Sequence, residues 1–270
     1  MFPLAGPRWL PAVAVDGKAV RGAAGDDGLI PYLLAAVTHG SGIVLAERLI
    51  GPKTNEVPEF APLLRELNGY YCLAGRVITA DAGHTVRARA RLICEELLAH
   101  YVLTVKGNTP ALWEEIDALD WASVPVQHAT EEKGHGRRER RTIQVMTAPA
   151  HIRNRFPHAR QVALIERYVT RTIRVKKGKR WVRTQVKTAV AVFIITSLDA
   201  REAAPAHLAG YVRGQWTIEN KVHYVISLTV RIPPGSGPVP APASWPLSVT
   251  CLSGSSARPT TPRSPPPSGR

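Results

Sequence analysis

The first part of the chain contains three short apolar runs that are separated by glycine-containing turns. The runs are residues 11–15, 30–38 and 43–50, and Gly40 and Gly42 lie between the second and the third. Short apolar runs of this length are typical of strands, and short glycine turns join antiparallel neighbours. The pattern therefore predicts an antiparallel meander of three strands.

Helical and strand-like patterns alternate after the meander. Residues 54–68 and 85–99 show helical spacing of apolar positions, and Arg89 is expected away from the apolar face of the second helix. Residues 75–80 and 101–105 are compact apolar runs. A strand–helix–strand unit of this size implies a right-handed crossover and a parallel pair. The order predicts an α/β fold with a ribonuclease-H-like core, in which helices flank a mixed sheet.

The side-chain period changes at about residue 120. Residues 120–190 alternate in strand fashion around basic turns, which predicts a β-rich insertion of hairpins with Lys and Arg at their tips. Residues 190–197 form either the exit strand of this insertion or the last strand of the core. A helix is expected to begin near residue 199 and to continue through residues 211–224.

The last part of the chain has a different composition. Residues 226–270 include 11 Pro, four Arg and no Asp or Glu, and such a segment does not fold by itself. It is either a natural disordered tail or an out-of-frame translation of a GC-rich gene. We divide the chain into an N-terminal stub (1–11), the first part of the core (12–119), the insertion (120–190), the end of the core (191–225) and the tail (226–270).

Charge is concentrated in the insertion. The chain has a formal net charge of +14, and between Glu131 and Lys187 there are 17 Lys or Arg against 4 Asp or Glu. A solvated basic face is the ordinary explanation for such a stretch. Its length and single sign favour binding to the phosphates of a nucleic acid.

Several classes of protein are excluded by the sequence. No apolar run reaches the roughly 18 residues that a membrane span needs, and the first residues lack the basic and apolar regions of a signal peptide. The three cysteines show no zinc-type spacing. We therefore expect a cytoplasmic protein that does not bind membranes.

Three carboxylates stand where a metal site would need them. Asp16 and Asp81 each follow a compact apolar run, and Glu219 lies in the late helical stretch. Cleavage of a phosphodiester needs relief of charge on the leaving oxygen, and two divalent metals about 4 Å apart supply it. Mg²⁺ prefers oxygen ligands, and a strand end holds a carboxylate rigidly. We hypothesise that these three residues are catalytic and bind the metal.

Each candidate also has an ordinary explanation. An Asp that precedes Gly, as Asp16 does, is common in turns, and a lone glutamate such as Glu219 is common in surface ion pairs. His84 and His223 have no second histidine one helical turn further on. We interpret both as contacts to phosphate or water, which disfavours a zinc hydrolase.

Basic residues near the carboxylates and in the insertion are candidates for contacts to DNA phosphates. Trp216 lies three residues before Glu219 and either stacks on an unpaired base at a DNA end or packs in the core. The basic candidates are Lys18, Arg21, Lys106, Arg137, Arg138, Arg140, Arg141, Lys176, Lys177, Lys179, Arg213 and Lys221.

Six phrases give the chain a resemblance to a known family. AVDGKAVRGA, NEVPEFAPLL, VITADAGHT, HYVLTVKGNTPAL, EKGHGRRERRTIQV and RGQWTIENKVHY occur in this order across residues 12–225. With them the chain resembles the bacterial insertion-sequence transposases of the H-repeat-associated type, in the DDE group. The resemblance implies a triad of Asp16, Asp81 and Glu219, two Mg²⁺ ions (for which Mn²⁺ substitutes), and double-stranded DNA at transposon ends and target. It also implies a homodimer in the synaptic complex.

The chain departs from the family pattern at both ends. Family members carry a helical segment before the first strand, and after the glutamate helix they continue with a phrase like HWVLDVTFGED and further helices. Here the phrase is HYVISLTVRIPPGSG, so we expect an N-terminal truncation and a loss of the reading frame near codon 225. A truncated chain need not be active. A ribonuclease-H-like nuclease without strand transfer and a non-catalytic DNA-binding remnant are therefore alternative hypotheses.

Overall fold

The structure is a computed structural model that describes residues 7–19, 30, 32–50, 57–134, 136–177 and 180–229. Within these residues nine strands form one mixed sheet, and helices flank it. The strands are β1 (Ala12–Ala19), β2 (Tyr32–Thr38), β3 (Val44–Ile50), β4 (Val77–Ala80), β5 (His100–Val105), β6 (His128–Gly134), β7 (Arg137–Thr147), β8 (Gln161–Lys177) and β9 (Arg180–Thr196). The helices are α1 (Phe60–Tyr70), α2 (Arg87–Arg91, continued by a π-helical turn over Leu92–Glu96), α3 (Pro110–Asp117), α4 (Ala150–Arg155) and α5 (Pro205–Thr229).

The strand order is β3-β2-β1-β4-β5-β9-β8-β7-β6. β1, β2 and β3 pair in antiparallel fashion, whereas β4 pairs parallel to both β1 and β5. This confirms the predicted meander, the parallel strands after it and the α/β core of the ribonuclease-H-like type. Successive side chains of β1 point to opposite faces of the sheet. Val13 and Val15 pack on the face covered by α1, whereas Ala14 packs on the other face against Ile218 of α5.

The boundaries of several elements differ from the prediction. β1 continues past Asp16 to Ala19, because β2 pairs with it along its whole length. Gly17 therefore lies in a strand and not in the glycine-containing turn expected after residues 11–15. α1 begins at Phe60, later than the helix expected over residues 54–68, and Pro58 lies in the turn before it.

The insertion is continuous with the core sheet. β9 is one 17-residue strand that pairs with β8 along its whole length and with β5 along its last part. It is therefore both the exit strand of the insertion and the last core strand. The short helix α4 between β7 and β8 was not predicted; its Ile152 is fully buried in the main core cluster.

Helix α5 begins at Pro205, later than predicted, because Asp199 accepts hydrogen bonds from the backbone N–H groups of Arg201 and Glu202 in a separate turn. The helix continues to Thr229 and so carries position 219, as predicted. Residues 230–270, which include most of the predicted tail, lie outside the described residues. None of the described helices is both long and apolar enough to cross a membrane.

Candidate active site

The strand register places the two predicted aspartates side by side. β1 and β4 run parallel, and the last pair in their register joins Val15 to Ala80. Asp16 and Asp81 each occupy the next position, so they flank one another at the carboxyl edge of two neighbouring strands. Adjacent strands lie about 4.8 Å apart, a separation that suits two carboxylates binding metals roughly 4 Å apart.

The segment that follows Asp81 is held by hydrogen bonds to β5 and its loop. The Thr85 hydroxyl donates to the carbonyl of Thr104 at 2.6 Å, and the Asn108 amide donates to the carbonyl of Ala82 at 2.5 Å. The backbone N–H of His84 donates to the carbonyl of Asp81 at 3.1 Å and closes a single 3₁₀ turn. These bonds fix the backbone at Asp81, which sits directly before that turn.

His84 is a buried residue beneath Asp81, and its predicted exposure to phosphate or water was wrong. Its side chain is fully buried and stacks on Phe60 with ring centroids 4.6 Å apart. Burial and, secondarily, the charge of Arg89 lower the pKa of His84 to about 3. The imidazole is therefore neutral at physiological pH.

Arg89 selects the tautomer of this imidazole. Its guanidinium lies in hydrogen-bond contact with His84 Nδ1. A guanidinium only donates, so Nδ1 accepts and the ring proton resides on Nε2. That nitrogen lies 4.0 Å from Asp81 Oδ1. The Nε2–H of His84 therefore faces Oδ1 of the Asp81 carboxylate.

Arg89 is itself buried, with 6% of its surface exposed, so the expectation that it lies away from the apolar face was wrong. It donates to the carbonyls of Gly83 and Val57, and its guanidinium lies 4.7 Å from the centre of the Phe60 ring. A buried arginine is tolerated where its donors are satisfied. Val57 and Phe60 belong to α1 and the turn before it, whereas Gly83 lies six residues before Arg89 in the turn after β4.

A buried hydrogen-bond chain joins α5 to the carboxyl ends of β1 and β4. The Thr79 hydroxyl donates to Gln215 Oε1 at 2.6 Å, and Gln215 Nε2 donates to the carbonyl of Val15 at 3.1 Å. His39 Nε2 lies 2.8 Å from the Thr79 oxygen. Because the hydroxyl proton of Thr79 is used toward Gln215, His39 is the donor in that pair. Gln215 thus contacts Val15, which directly precedes Asp16, and Thr79, which lies two residues before Asp81.

Position 219 lies one helical turn beyond Gln215. α5 runs in the same direction as β1, because its Tyr211 hydroxyl contacts Leu10 before the strand and Gln215 contacts Val15 near its carboxyl end. Four further residues along a helix advance about 6 Å and return to the same face. The helix therefore carries the Glu219 position toward the edge that holds Asp16 and Asp81. The side chain of Glu219 lies outside the described residues.

Glycines allow α5 to lie close to its neighbours. A Cβ atom at Gly214 would fall 2.1 Å from the His39 ring, and one at Gly210 would fall 2.3 Å from the Trp9 ring. Such distances are far inside van der Waals contact, so a side chain at either position would displace the helix or the ring. The sequence did not predict this close approach.

Only Asp16 and Asp81 of the three predicted metal ligands have described side chains. Asp81 Oδ1 is buried and accepts no hydrogen bond among the described residues, although 49% of the side chain is exposed. No group of three His, Cys, Asp or Glu side chains in the described part of the chain could hold a metal ion, and this search does not include Glu219. Two adjacent carboxylates with a buried, unsatisfied oxygen fit a hard divalent cation once a third ligand is supplied.

A family model for the transposase DDE domain matches residues 10–229. The chain belongs to this family. A solved piggyBac transposase synaptic complex with hairpin DNA aligns with a TM-score of 0.43 and 16% identity, over 80% of this chain and 41% of that one. A methyltransferase dependent on S-adenosylmethionine, from Clostridium acetobutylicum, aligns with a TM-score of 0.10 and 8% identity, over 52% of this chain and 46% of that one. No curated protein matches the chain, which spans less than half of either solved protein.

The basic candidates of this transposase domain fall into two groups. Lys106 is exposed directly after β5, next to the strand that ends at Asp81, and Arg140 and Lys176 are exposed in the insertion. Other candidates contact acids: Arg138 pairs with Glu131, Arg213 with Glu132, and both Arg137 and Arg141 with Glu139. Lys18 is half-buried in β1. Arg21 and Lys179, and the side chains of Lys177 and Lys221, lie outside the described residues.

Glu139 is the centre of a buried ion-pair network on the face of the insertion that meets α5. Only 2% of its side chain is exposed. Arg167 binds both of its oxygens, at 2.7 and 2.9 Å, and Arg141 adds a second ion pair. These contacts, the Arg167 hydrogen bonds first among them, hold the pKa of Glu139 below its usual value. The arginines around it therefore serve the fold of the insertion.

Trp216 lies at the surface between α5 and the insertion. Its side chain is 42% exposed, and the Arg167 guanidinium lies 5.6 Å from the ring centre. A cavity of about 180 Å³ opens beside it, lined by Trp216, Arg141, Arg167, Arg213 and Ile143 among others. Partial exposure beside a cavity disagrees with a purely core role for this ring, and stacking on a base stays a prediction.

Proposed function

We propose that this chain is the catalytic part of an insertion-sequence transposase of the H-repeat-associated type. In this proposal it hydrolyses phosphodiester bonds at the ends of the element and joins the resulting 3′-OH to target DNA. One observation carries the proposal most: the register places Asp16 and Asp81 at adjacent positions on parallel strands, and Gln215 hydrogen-bonds at that same edge one turn before Glu219. Family membership supplies the reaction class.

The three carboxylates would hold the metal. Asp16 and Asp81 contribute oxygen ligands from a rigid sheet edge, and Glu219 closes the site from α5. Two divalent cations bound there, Mg²⁺ or Mn²⁺, would activate the attacking oxygen and stabilise charge on the leaving oxygen. The protein's own contribution is to keep the ligands in place, since a carboxylate that moves by an ångström loses much of its effect.

The two oxygens of Asp81 have different surroundings and, in our proposal, different uses. Oδ1 is buried and faces the Nε2–H of His84, whereas the exposed part of the carboxylate includes Oδ2. At 4.0 Å this contact is longer than a hydrogen bond, so His84 would act by occupying the space behind Oδ1 and leaving Oδ2 for the metal. His84, with its tautomer set by Arg89, is in this view a positioning residue for Asp81.

Double-stranded DNA is the proposed partner. Its phosphates would lie over the carboxyl edge of β1, β4 and β5, where Lys106 follows the next strand after Asp81. Lys18, Arg21 and Lys221 would add contacts around the triad, and Trp216 would stack on an unpaired base at the cut end. Joining two transposon ends requires a homodimer in the synaptic complex, which we propose as well.

The proposal is tested with the full chain, supercoiled plasmid DNA and Mg²⁺ or Mn²⁺. We expect nicking that depends on the metal and falls about a thousandfold in Asp81→Asn, because the site supplies several kcal/mol of charge stabilisation. Asp117→Asn is the matched control, since Asp117 is an exposed carboxylate on α3, away from the edge. Metal affinity, measured by Mn²⁺ titration, should fall only in the Asp81 variant.

The same assays separate the competing functions. Joining of a labelled 3′-OH end to plasmid DNA distinguishes a transposase from a ribonuclease-H-like nuclease, which would nick without joining. A non-catalytic remnant would bind DNA and never nick it. Nicking that persists unchanged in Asp81→Asn would contradict the assignment of the triad.

A further inference from the structure

Two strands of the insertion continue as a ribbon beyond the rest of the sheet. β7 pairs with β8 only as far as Arg171, and past it residues 172–177 pair with residues 180–185 alone. The ribbon leaves the sheet at the edge that holds the aspartates, because Phe193 of β9 pairs with Val105, the last residue of β5. The part of β9 before Phe193 therefore projects past that edge by roughly 40 Å at 3.4 Å per residue.

Both faces of this ribbon carry cations, and on one of them four cations follow one another along the ribbon. Residues that lie directly opposite one another on antiparallel strands share a face. The cross-strand pairs Arg174–Arg183, Lys176–Trp181 and Thr170–Lys187 therefore lie on one face, and their members other than Thr170 are exposed. The opposite face carries the apolar residues Ile173, Val175, Val182 and Val186 together with the exposed cations Arg171 and Arg180.

Nothing on the ribbon neutralises these cations. After Glu166 the next acidic residue in the sequence is Asp199. Arg174 and Arg183 lie directly opposite each other, and like charges in this arrangement destabilise a strand pair. The Glu139 network is a contrast within the same insertion, because there the arginines surround a buried acid. The cationic face of the ribbon instead fits an external polyanion.

The cationic face continues over the base of the ribbon. Lys133 pairs with Arg138 across β6 and β7, and Arg138 pairs with Thr170 across β7 and β8, so all three share the face of Lys187. A shallow groove crosses this face and is lined by Lys133, Arg138, Thr170, Thr172, Gln185 and Lys187. Lysine, arginine, threonine and glutamine side chains are the usual partners of DNA phosphates.

We infer that the cationic face of this ribbon binds the phosphates of duplex DNA on one side of the cleavage site. The inference rests on the proposed function, since the ribbon and the triad share one edge of the sheet. A two-stranded ribbon fits the major groove of B-DNA, and the six residue pairs beyond Arg171 span about 20 Å at 3.4 Å per residue, the length of about six base pairs at 3.4 Å each. The contacts are to phosphate, so binding is independent of sequence. The assigned residues are Arg174, Lys176, Arg183, Lys187 and Lys133, whereas Arg138 shares their face but is paired with Glu131.

The test measures binding of the full chain to fluorescent duplexes of 12 and 30 base pairs over a range of salt, with EDTA present so that no cleavage occurs. Arg174→Gln/Arg183→Gln should lower the salt slope by about two, one for each phosphate contact. Each phosphate contact raises the DNA affinity at 0.1 M salt about 8-fold relative to 1 M salt. Loss of two contacts should therefore lower the affinity for the long duplex roughly 10- to 60-fold. Lys176→Gln/Lys187→Gln is an independent pair with the same expectation.

Arg153→Gln/Arg201→Gln is the matched control, because it removes the same charge at the opposite end of the core strands. Arg153 lies in α4 after β7, and Arg201 lies between β9 and α5. This variant should keep the wild-type salt slope.

The outcomes separate this inference from the proposed function. The inference is overturned if the salt slope of DNA affinity is unchanged in both ribbon variants, or if the control variant loses as much affinity as they do. The transposase proposal stands in either case if the wild type nicks DNA in a metal-dependent way. An equal loss of binding to single-stranded DNA of the same length overturns the assignment to duplex. Loss of long-duplex affinity in the ribbon variants alone supports it.

Discussion

Replacing Gln215 with leucine tests whether α5 is placed by the hydrogen-bond chain at the sheet edge. The substitution keeps the size of the side chain and removes the bonds to Thr79 at 2.6 Å and to the Val15 carbonyl at 3.1 Å. Gln215 is only 8% exposed, so water does not replace these bonds readily. Glu219 lies one turn further along the helix, and we expect the loss to reach the triad.

The magnitude follows from the two bonds. Each neutral hydrogen bond contributes about 1 kcal/mol, and an acceptor left buried without a partner costs a further 1–3 kcal/mol. We expect Gln215→Leu to lower the free energy of unfolding by about 3–5 kcal/mol. For a domain of this size that corresponds to a fall in Tm of roughly 6–20 °C. Urea denaturation followed by circular dichroism measures the change.

Two further variants isolate the cause. Gln215→Glu keeps an acceptor for the Thr79 hydroxyl and loses the donor to the Val15 carbonyl. This variant should be destabilised but should keep the hydrogen bond from Thr79. Gln144→Leu is the control, because Gln144 Nε2 donates to the carbonyls of Trp121 and Val124 within the insertion and its loop. It should lose comparable stability without loss of metal-dependent nicking.

If Gln215 places Glu219, its loss should slow nicking by more than the loss of stability alone explains. At a temperature where all three variants are folded, Gln215→Leu should nick DNA at least tenfold more slowly than Gln144→Leu, with DNA affinity unchanged in both. If the two variants nick equally well at matched stability, Gln215 does not place Glu219, and our account of the helix would be refuted.

Two other predictions concern the same helix and its neighbours. Gly214→Ala should lower Tm and slow nicking, because the new Cβ would meet the His39 ring at 2.1 Å; wild-type values for both would contradict the close approach. Burial lowers the pKa of His39 to about 4 from 6.5, so the unfolded chain takes up its proton first and stability falls as pH drops from about 6.5 toward 4. The loss at pH 5 is about 2 kcal/mol, and His39→Gln should reduce the slope of urea stability against pH.

The features that the sequence predicted are those set by local patterns. β-branched apolar runs separated by glycine turns define the meander, and a strand–helix–strand order leaves little choice but a parallel pair. These two facts make Asp16 and Asp81 neighbours only if β1 and β4 pair with each other, and the register shows that they do. The helical position of Glu219 followed from its flanking residues in the same way.

The features that were missed depend on contacts between distant segments. Arg89 is polar by type, and only the carbonyls of Val57 and Gly83 with the Phe60 ring make its burial possible. Gln215 is likewise a polar residue on the inner face of a helix, and its partners are a strand hydroxyl and a strand carbonyl far away in the chain. A single-sequence pattern contains neither partner. The four-residue spacing of Gln215 and Glu219 was the one available signal.

The basic stretch of the sequence has two physical roles that its composition does not separate. Alternation along β7 turns Arg137 and Arg141 toward the Glu139 network, while Arg138 and Arg140 lie on the face that continues into the ribbon. Guanidiniums bound to a buried carboxylate have already exchanged their water for an ion pair, so they release few counterions when DNA binds. The salt dependence of DNA binding therefore reports the cations outside the Glu139 network and is smaller than the excess of 17 cations over 4 acids implies.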